Sequence, residues 1–167
     1  MNRIKSFSVN HDTLDIGVYE SRRDLDTITY DIRMKKPNGG DYLSPATIHT
    51  LEHLLATFLR NGEYGAQIIY VGPMGCRTGF YLITGDQMLR EAVLIQLREV
   101  FRYVLLFSGE IPGSKREECG NYKEHDLDSA KAAAGVMIEV LENWSTEDMD
   151  YKILSKGDND GEEVVYV

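Results

Sequence analysis

Positive charge is scarce in this chain: 18 Lys and Arg stand against 27 Asp and Glu, a net charge of −9 with a pI near 4.9. Such a surface repels phosphate backbones and anionic headgroups, so nucleic acid and membrane surfaces are not expected partners. No run approaches the roughly 18 apolar residues of a membrane span. The first residues, Met1-Asn2-Arg3-Ile4-Lys5-Ser6-Phe7-Ser8, lack the apolar core of a signal peptide, so the expected location is the cytosol. Cysteine is nearly absent: Cys76 and Cys119 cannot make a disulfide framework, and in a reducing compartment each is better read as ligand or catalyst. No repeat or linker divides the 167 residues, which fit one domain over 1–167 with a core that needs no staples.

What is present centres on Ser44 to Leu59. Ser44 is a good N-cap, Pro45 suits the first helical position, and Ile48, Leu51, Leu54, Leu55, Phe58 and Leu59 recur at helical spacing. At about 100° per residue, His49, Glu52 and His53 share the side turned away from Leu51, Leu55 and Phe58. Two imidazoles one turn apart can chelate one metal ion. A carboxylate between them can exchange protons with what the metal activates. The order His-x-x-Glu-His is that of the inverted zincins, and two histidines are only half a site.

The remaining elements follow from pattern. Asp26 to Lys36 alternates, with Ile28, Tyr30, Ile32 and Met34 on one face of a half-buried strand and Thr29, Asp31 and Arg33 on the other; the plain reading of Arg33 is a solvated strand charge. After the helix stops at Asn61-Gly62, short strands are expected over 66–71 and 79–84. Between them Gly72-Pro73-Met74-Gly75-Cys76-Arg77-Thr78-Gly79 bends sharply and sets Cys76 on a turn, where Arg77 would favour its thiolate. Gln87 to Phe107 reads as a long amphipathic helix. A charged loop carries Cys119 to His125, and Asp126 caps a third helix with Leu127, Ala130, Ala134, Met137, Ile138 and Leu141 inward. A polar turn over 155–163 and a short strand, Val164–Val167, complete the chain. The fold class expected is α+β, an antiparallel or mixed sheet packed with helices.

Cys119, beside a glycine on a loop, is the strongest candidate to complete the metal site. His49, His53 and Cys119 leave one tetrahedral position open, as catalysis requires. If Cys76 also bound, the site would be closed and structural; Glu52 favours the open form, since a structural site has no use for a carboxylate beside it. An inverted-zincin peptidase, with a carboxylate as third ligand, and a metal-stapled interaction module are the other readings. His125 is either a group near Cys119 or simply the residue before a helix cap.

Three segments, His49-Thr50-Leu51-Glu52-His53-Leu54-Leu55, Pro73-Met74-Gly75-Cys76-Arg77-Thr78-Gly79-Phe80-Tyr81 and Cys119-Gly120-Asn121-Tyr122, together resemble the S-ribosylhomocysteine lyase (LuxS) family of autoinducer-2 producers, with the likeness running from Ser6 to Leu141. The resemblance implies an α+β homodimer with two shared sites at its interface, each holding one divalent metal, Fe²⁺ physiologically, with Zn²⁺ or Co²⁺ able to substitute. It implies His49, His53 and Cys119 as ligands, Glu52 and Cys76 as the acid/base pair, and Ser6, His11 and Arg33 as substrate contacts. The implied reaction cleaves S-ribosylhomocysteine to homocysteine and 4,5-dihydroxy-2,3-pentanedione, by carbonyl migration along the ribose and β-elimination, in the methyl cycle and quorum sensing. Two positions depart from the family pattern: Gly72 where serine is expected, and Tyr70 near an expected aspartate.

Overall fold

The computed structural model describes residues 9–151. Ser6, the turn expected over 155–163 and the strand expected at Val164–Val167 lie outside the described residues. Within them the order is β1 (Gly17–Asp24), β2 (Thr27–Arg33), α1 (Pro45–Asn61), β3 (Ile68–Pro73), β4 (Gly79–Gly85), α2 (Arg90–Leu106) and α3 (Leu127–Glu142). The strands form one antiparallel sheet in the order β1-β2-β4-β3. The class is α+β, as the pattern predicts.

Period-two alternation puts Val18, Tyr30, Ile32, Phe80 and Leu82 on the inner face, where they share one buried cluster with the apolar stripes of all three helices. α1 packs on β3, α2 and α3, and α2 lies along α3. The start of α1 is as expected: Ser44 Oγ accepts from the Thr47 amide at 3.1 Å with Pro45 behind it. Leu51, Leu54, Leu55 and Leu59 are fully buried, each stabilising by about 1.5–3 kcal/mol. Gly62 ends α1 in extended backbone. Helix α2 begins three residues later than Gln87, because a turn closed by the Met88 amide on the Gly85 carbonyl intervenes. Asp126 caps α3, its carboxylate accepting from the Ser129 amide at 2.9 Å.

Two features correct the pattern. Strand β1 is not legible from alternation: a bulge between Glu20 and Arg22 breaks its period within a run of charges. Arg33 is not a solvated strand charge. Thr29, Asp31 and Arg33 are only 7%, 4% and 4% exposed, because residues 144–151 cover the outer face of the sheet. Gly17 and Tyr19 stand opposite Arg33 and Asp31. The Trp144 ring lies so close to Gly17 that a Cβ there would sit 2.3 Å from it, and its indole donates to the Val18 carbonyl at 3.0 Å. Tyr19 meets Trp144 edge-on and stacks flat on Tyr151, with centroids 4.9 Å apart.

Candidate metal centre

His49 and His53 project from α1 toward the loop between α2 and α3, and that loop fixes both rings. His49 Nδ1 donates to the Glu124 carbonyl at 2.9 Å and His53 Nδ1 to the Pro112 carbonyl at 2.7 Å. A carbonyl can only accept, so each Nδ1 carries the proton and each Nε2 keeps its lone pair for an ion. The loop reaches His53 through Gly113, whose φ of +72° disfavours any side chain and where a Cβ would press on the imidazole, 3.1 Å from His53 Nδ1. Cys119 Sγ lies 3.2 Å from His49 Nε2. Atoms bound to one tetrahedral ion at ~2.0–2.3 Å are themselves roughly 3.5 Å apart, so this pair is already near ligand spacing. Nitrogen and thiolate donors of this kind suit Fe²⁺, Co²⁺ or Zn²⁺.

His125 joins the group. One ligand atom each from His49, His53, Cys119 and His125 lies within 4.8 Å of the other three. The His125 ring stacks on His49 with centroids 4.2 Å apart. Thr50 determines its tautomer: the Thr50 hydroxyl donates to the Ala46 carbonyl at 2.9 Å and accepts from the Asp126 amide at 2.9 Å, so His125 Nδ1, 3.3 Å away, must donate to it. His125 Nε2 is left as a buried lone pair with no hydrogen-bond partner among the described residues. Burial, with the neighbouring His49 and His53 rings, pushes the His125 pKa below its ordinary value. Both sequence readings of His125 therefore hold: it directly precedes the Asp126 cap and it stands in the cluster. Its spacing from Cys119 carried no signal for the second.

The cluster contains no carboxylate ligand among the described residues, unlike the inverted-zincin expectation. Glu52 instead lines a concave pocket of about 350 Å³ with His53, Ala56, Thr57, Pro112 and Gly113.

Cys76 lies outside the cluster, exposed in the β3–β4 turn as expected. Its thiol is 3.1 Å from the Thr78 hydroxyl and 4.0 Å from Arg33 Nη1, which itself donates to Thr78 at 3.0 Å. Partial burial raises the Cys76 pKa, but the Thr78 hydroxyl and amide and the Arg33 guanidinium outweigh it, so the thiol lies below its ordinary value. The cation responsible is Arg33, not the adjacent Arg77, which has φ of +61° and sits over the Tyr42 ring. His11 is held by its Nδ1 at 3.0 Å from the Val9 carbonyl. Among the described residues no hydrogen bond joins the Cys76–Arg33 group or His11 to the histidine cluster. The two departures noted in the sequence are one feature: a Cβ at Gly72 would lie 1.9 Å from the Tyr70 hydroxyl, so the absent side chain makes room for the ring.

Two imidazoles and a thiol converging on an α+β scaffold, with a carboxylate between the imidazoles, define a candidate mononuclear metal protein equipped for proton transfer. The chain belongs to the S-ribosylhomocysteinase (LuxS) family, whose model matches residues 4–148. Curated relatives include the S-ribosylhomocysteine lyases of Clostridium acetobutylicum, 44% identical over 156 residues, and Borreliella burgdorferi, 44% over 157, each alignment covering 90% of this chain and 99% of the relative. That of Phocaeicola vulgatus is 43% identical, covering 90% and 98%. By name these relatives are carbon–sulfur lyases.

Proposed function

We propose that this chain cleaves S-ribosylhomocysteine to homocysteine and 4,5-dihydroxy-2,3-pentanedione, as one domain over 1–167, in the cytosol. The observation that carries the reading is the pair of Nε2 lone pairs on His49 and His53 beside the Cys119 thiol, with Glu52 on the same helix. His49, His53 and Cys119 would hold one divalent ion, Fe²⁺ first among the candidates. When bound, such an ion supplies a Lewis acid that polarises a sugar carbonyl and acidifies the C–H bond beside it.

The rest falls to the chain's own side chains. The open-chain ribose has an aldehyde at C1. Cys76, favoured as thiolate by Thr78 and Arg33, takes a proton from carbon, and Glu52 relays protons between sugar oxygens. Two such exchanges move the carbonyl from C1 to C2 and then to C3. Loss of the C4 proton then breaks the C5–sulfur bond, homocysteine leaves as thiolate, and the enol left behind settles to the dione. The dione is the autoinducer-2 precursor, so the reaction serves the methyl cycle and quorum sensing together. Arg33, Ser6 and His11 are the proposed substrate contacts.

The separation of the Cys76–Arg33 group from the histidine cluster within one chain supports a homodimer, in which one subunit's thiol group faces its partner's metal centre.

The test is homocysteine release from S-ribosylhomocysteine, followed with a thiol reagent before and after chelation. Turnover should vanish on chelation and return with Fe²⁺ or Co²⁺. Glu52→Gln and Cys76→Ala should keep the metal and lose about 10²–10⁴ in kcat. No release by the metal-loaded wild type refutes the reading, and metal loss from Cys76→Ala restores the closed structural site.

A further inference from the structure

Arg33 is held from behind by a residue beyond the stretch that the family model matches. Asp31 Oδ2 accepts from Arg33 Nη2 at 2.8 Å and from the Tyr151 hydroxyl at 2.7 Å, across 120 residues of sequence. Tyr151 lies past residue 148, where the match ends. Its ring is clamped flat on Tyr19, which Trp144 braces edge-on. Burial and the Asp31 charge push the Tyr151 hydroxyl far above its ordinary value, so it remains a donor.

The chain of contacts runs Tyr151–Asp31–Arg33–Thr78–Cys76. A buried Arg–Asp pair is weak evidence for stability, because its desolvation cancels most of its attraction. What such a pair does well is fix a direction, and here Arg33 Nη1 is aimed at Thr78 and the thiol. We propose that Tyr151 is a positioning residue for the candidate catalytic thiol: by donating to Asp31 it holds the Asp31–Arg33 pair in the orientation that sets the guanidinium against Thr78 and Cys76. The proposal rests on the reading of Cys76 given above.

The sign follows from charge. The hydroxyl proton screens Asp31. Without it, the carboxylate draws the guanidinium more strongly and puts more negative potential at Cys76, so the thiolate becomes harder to form. The other titratable group that interacts with the thiol is Tyr81 on β4, while Arg77, next to it in the turn, is turned over the Tyr42 ring.

Tyr151→Phe tests this, since it keeps the stack on Tyr19 and deletes one oxygen. Alkylation of Cys76 by iodoacetamide in the metal-loaded protein, resolved from Cys119 by peptide mass spectrometry, is measured as a function of pH. The variant's profile should move to higher pH, with alkylation near neutrality slower by about threefold. The kcat for homocysteine release should fall by a similar factor. Superimposable alkylation profiles overturn the proposal. Alkylation requires no turnover, so a displaced profile in a protein that releases no homocysteine would uphold the positioning role and refute the lyase reading.

Discussion

Gly72 and Tyr70 on β3 are fitted to each other, since a Cβ at 72 would lie 1.9 Å from the Tyr70 hydroxyl. A serine at 72 would enter the volume of the Tyr70 hydroxyl, yet Tyr70 is 45% exposed and its ring can swing outward. Gly72→Ser alone should therefore lower stability by no more than about 1 kcal/mol. In a Tyr70→Ala background the same change should be neutral, giving a coupling of about 0.5 kcal/mol or more in a double-mutant cycle read by urea unfolding. Strict additivity would show that the ring does not lie over Gly72 in solution. Other single residues differ in how plainly the sequence announces them. The spacing of His49 and His53 needs only helical geometry, and Cys119 needs only a soft donor on a loop, so both are readable from composition and period. The burial of Arg33 is not: alternation in β2 says outward, and the side chain that reverses this, Tyr151, arrives from the far end of the fold. The same distance hid the true cation beside Cys76. Arg77 is its neighbour in sequence, whereas Arg33 is its neighbour across the sheet.

Helix α1 is bolted to the start of α3 by one hydroxyl. Thr50 Oγ1 accepts the Asp126 amide and the His125 imidazole and is itself fully buried. Thr50→Val keeps the shape and strands two donors, so the metal-free protein should lose about 1–3 kcal/mol in urea unfolding. An unchanged midpoint would mean that the α1–α3 contact rests on apolar packing alone. All three helices were legible from their long apolar stripes, and α1 and α3 also carry start signals, Ser44-Pro45 and Asp126, whereas α2 has none and its start was misplaced by three residues. Strand β1 was not, since the bulge at Ser21 and the charges around it remove the only pattern a strand offers. Nor does anything local in Pro112-Gly113 indicate that its carbonyl will seat His53. That pairing is made by the docking of the loop on α1.

At the scale of the assembly, the proposed dimer makes a quantitative prediction. Glu52→Gln and Cys76→Ala each disable both sites of a homodimer. If every working site draws its carboxylate and its thiol from different subunits, a mixed dimer keeps one intact site. Equal mixing and reassembly should then restore about a quarter of wild-type turnover, from the half of dimers that are mixed, each with one of two sites working. Zero recovery in verified mixed dimers would place thiol and carboxylate in the same subunit's site.

The outer face of the sheet adds a constraint of a different kind. Asp31 and Arg33 are both nearly inaccessible to water, and each is the other's counter-charge. Replacing either one alone by an uncharged residue strands the remaining charge in the interior, a loss of about 3–5 kcal/mol. Stepwise drift at these two sites is therefore blocked from both directions, and a descendant of this chain that abandons one of them must have abandoned its partner in the same stride.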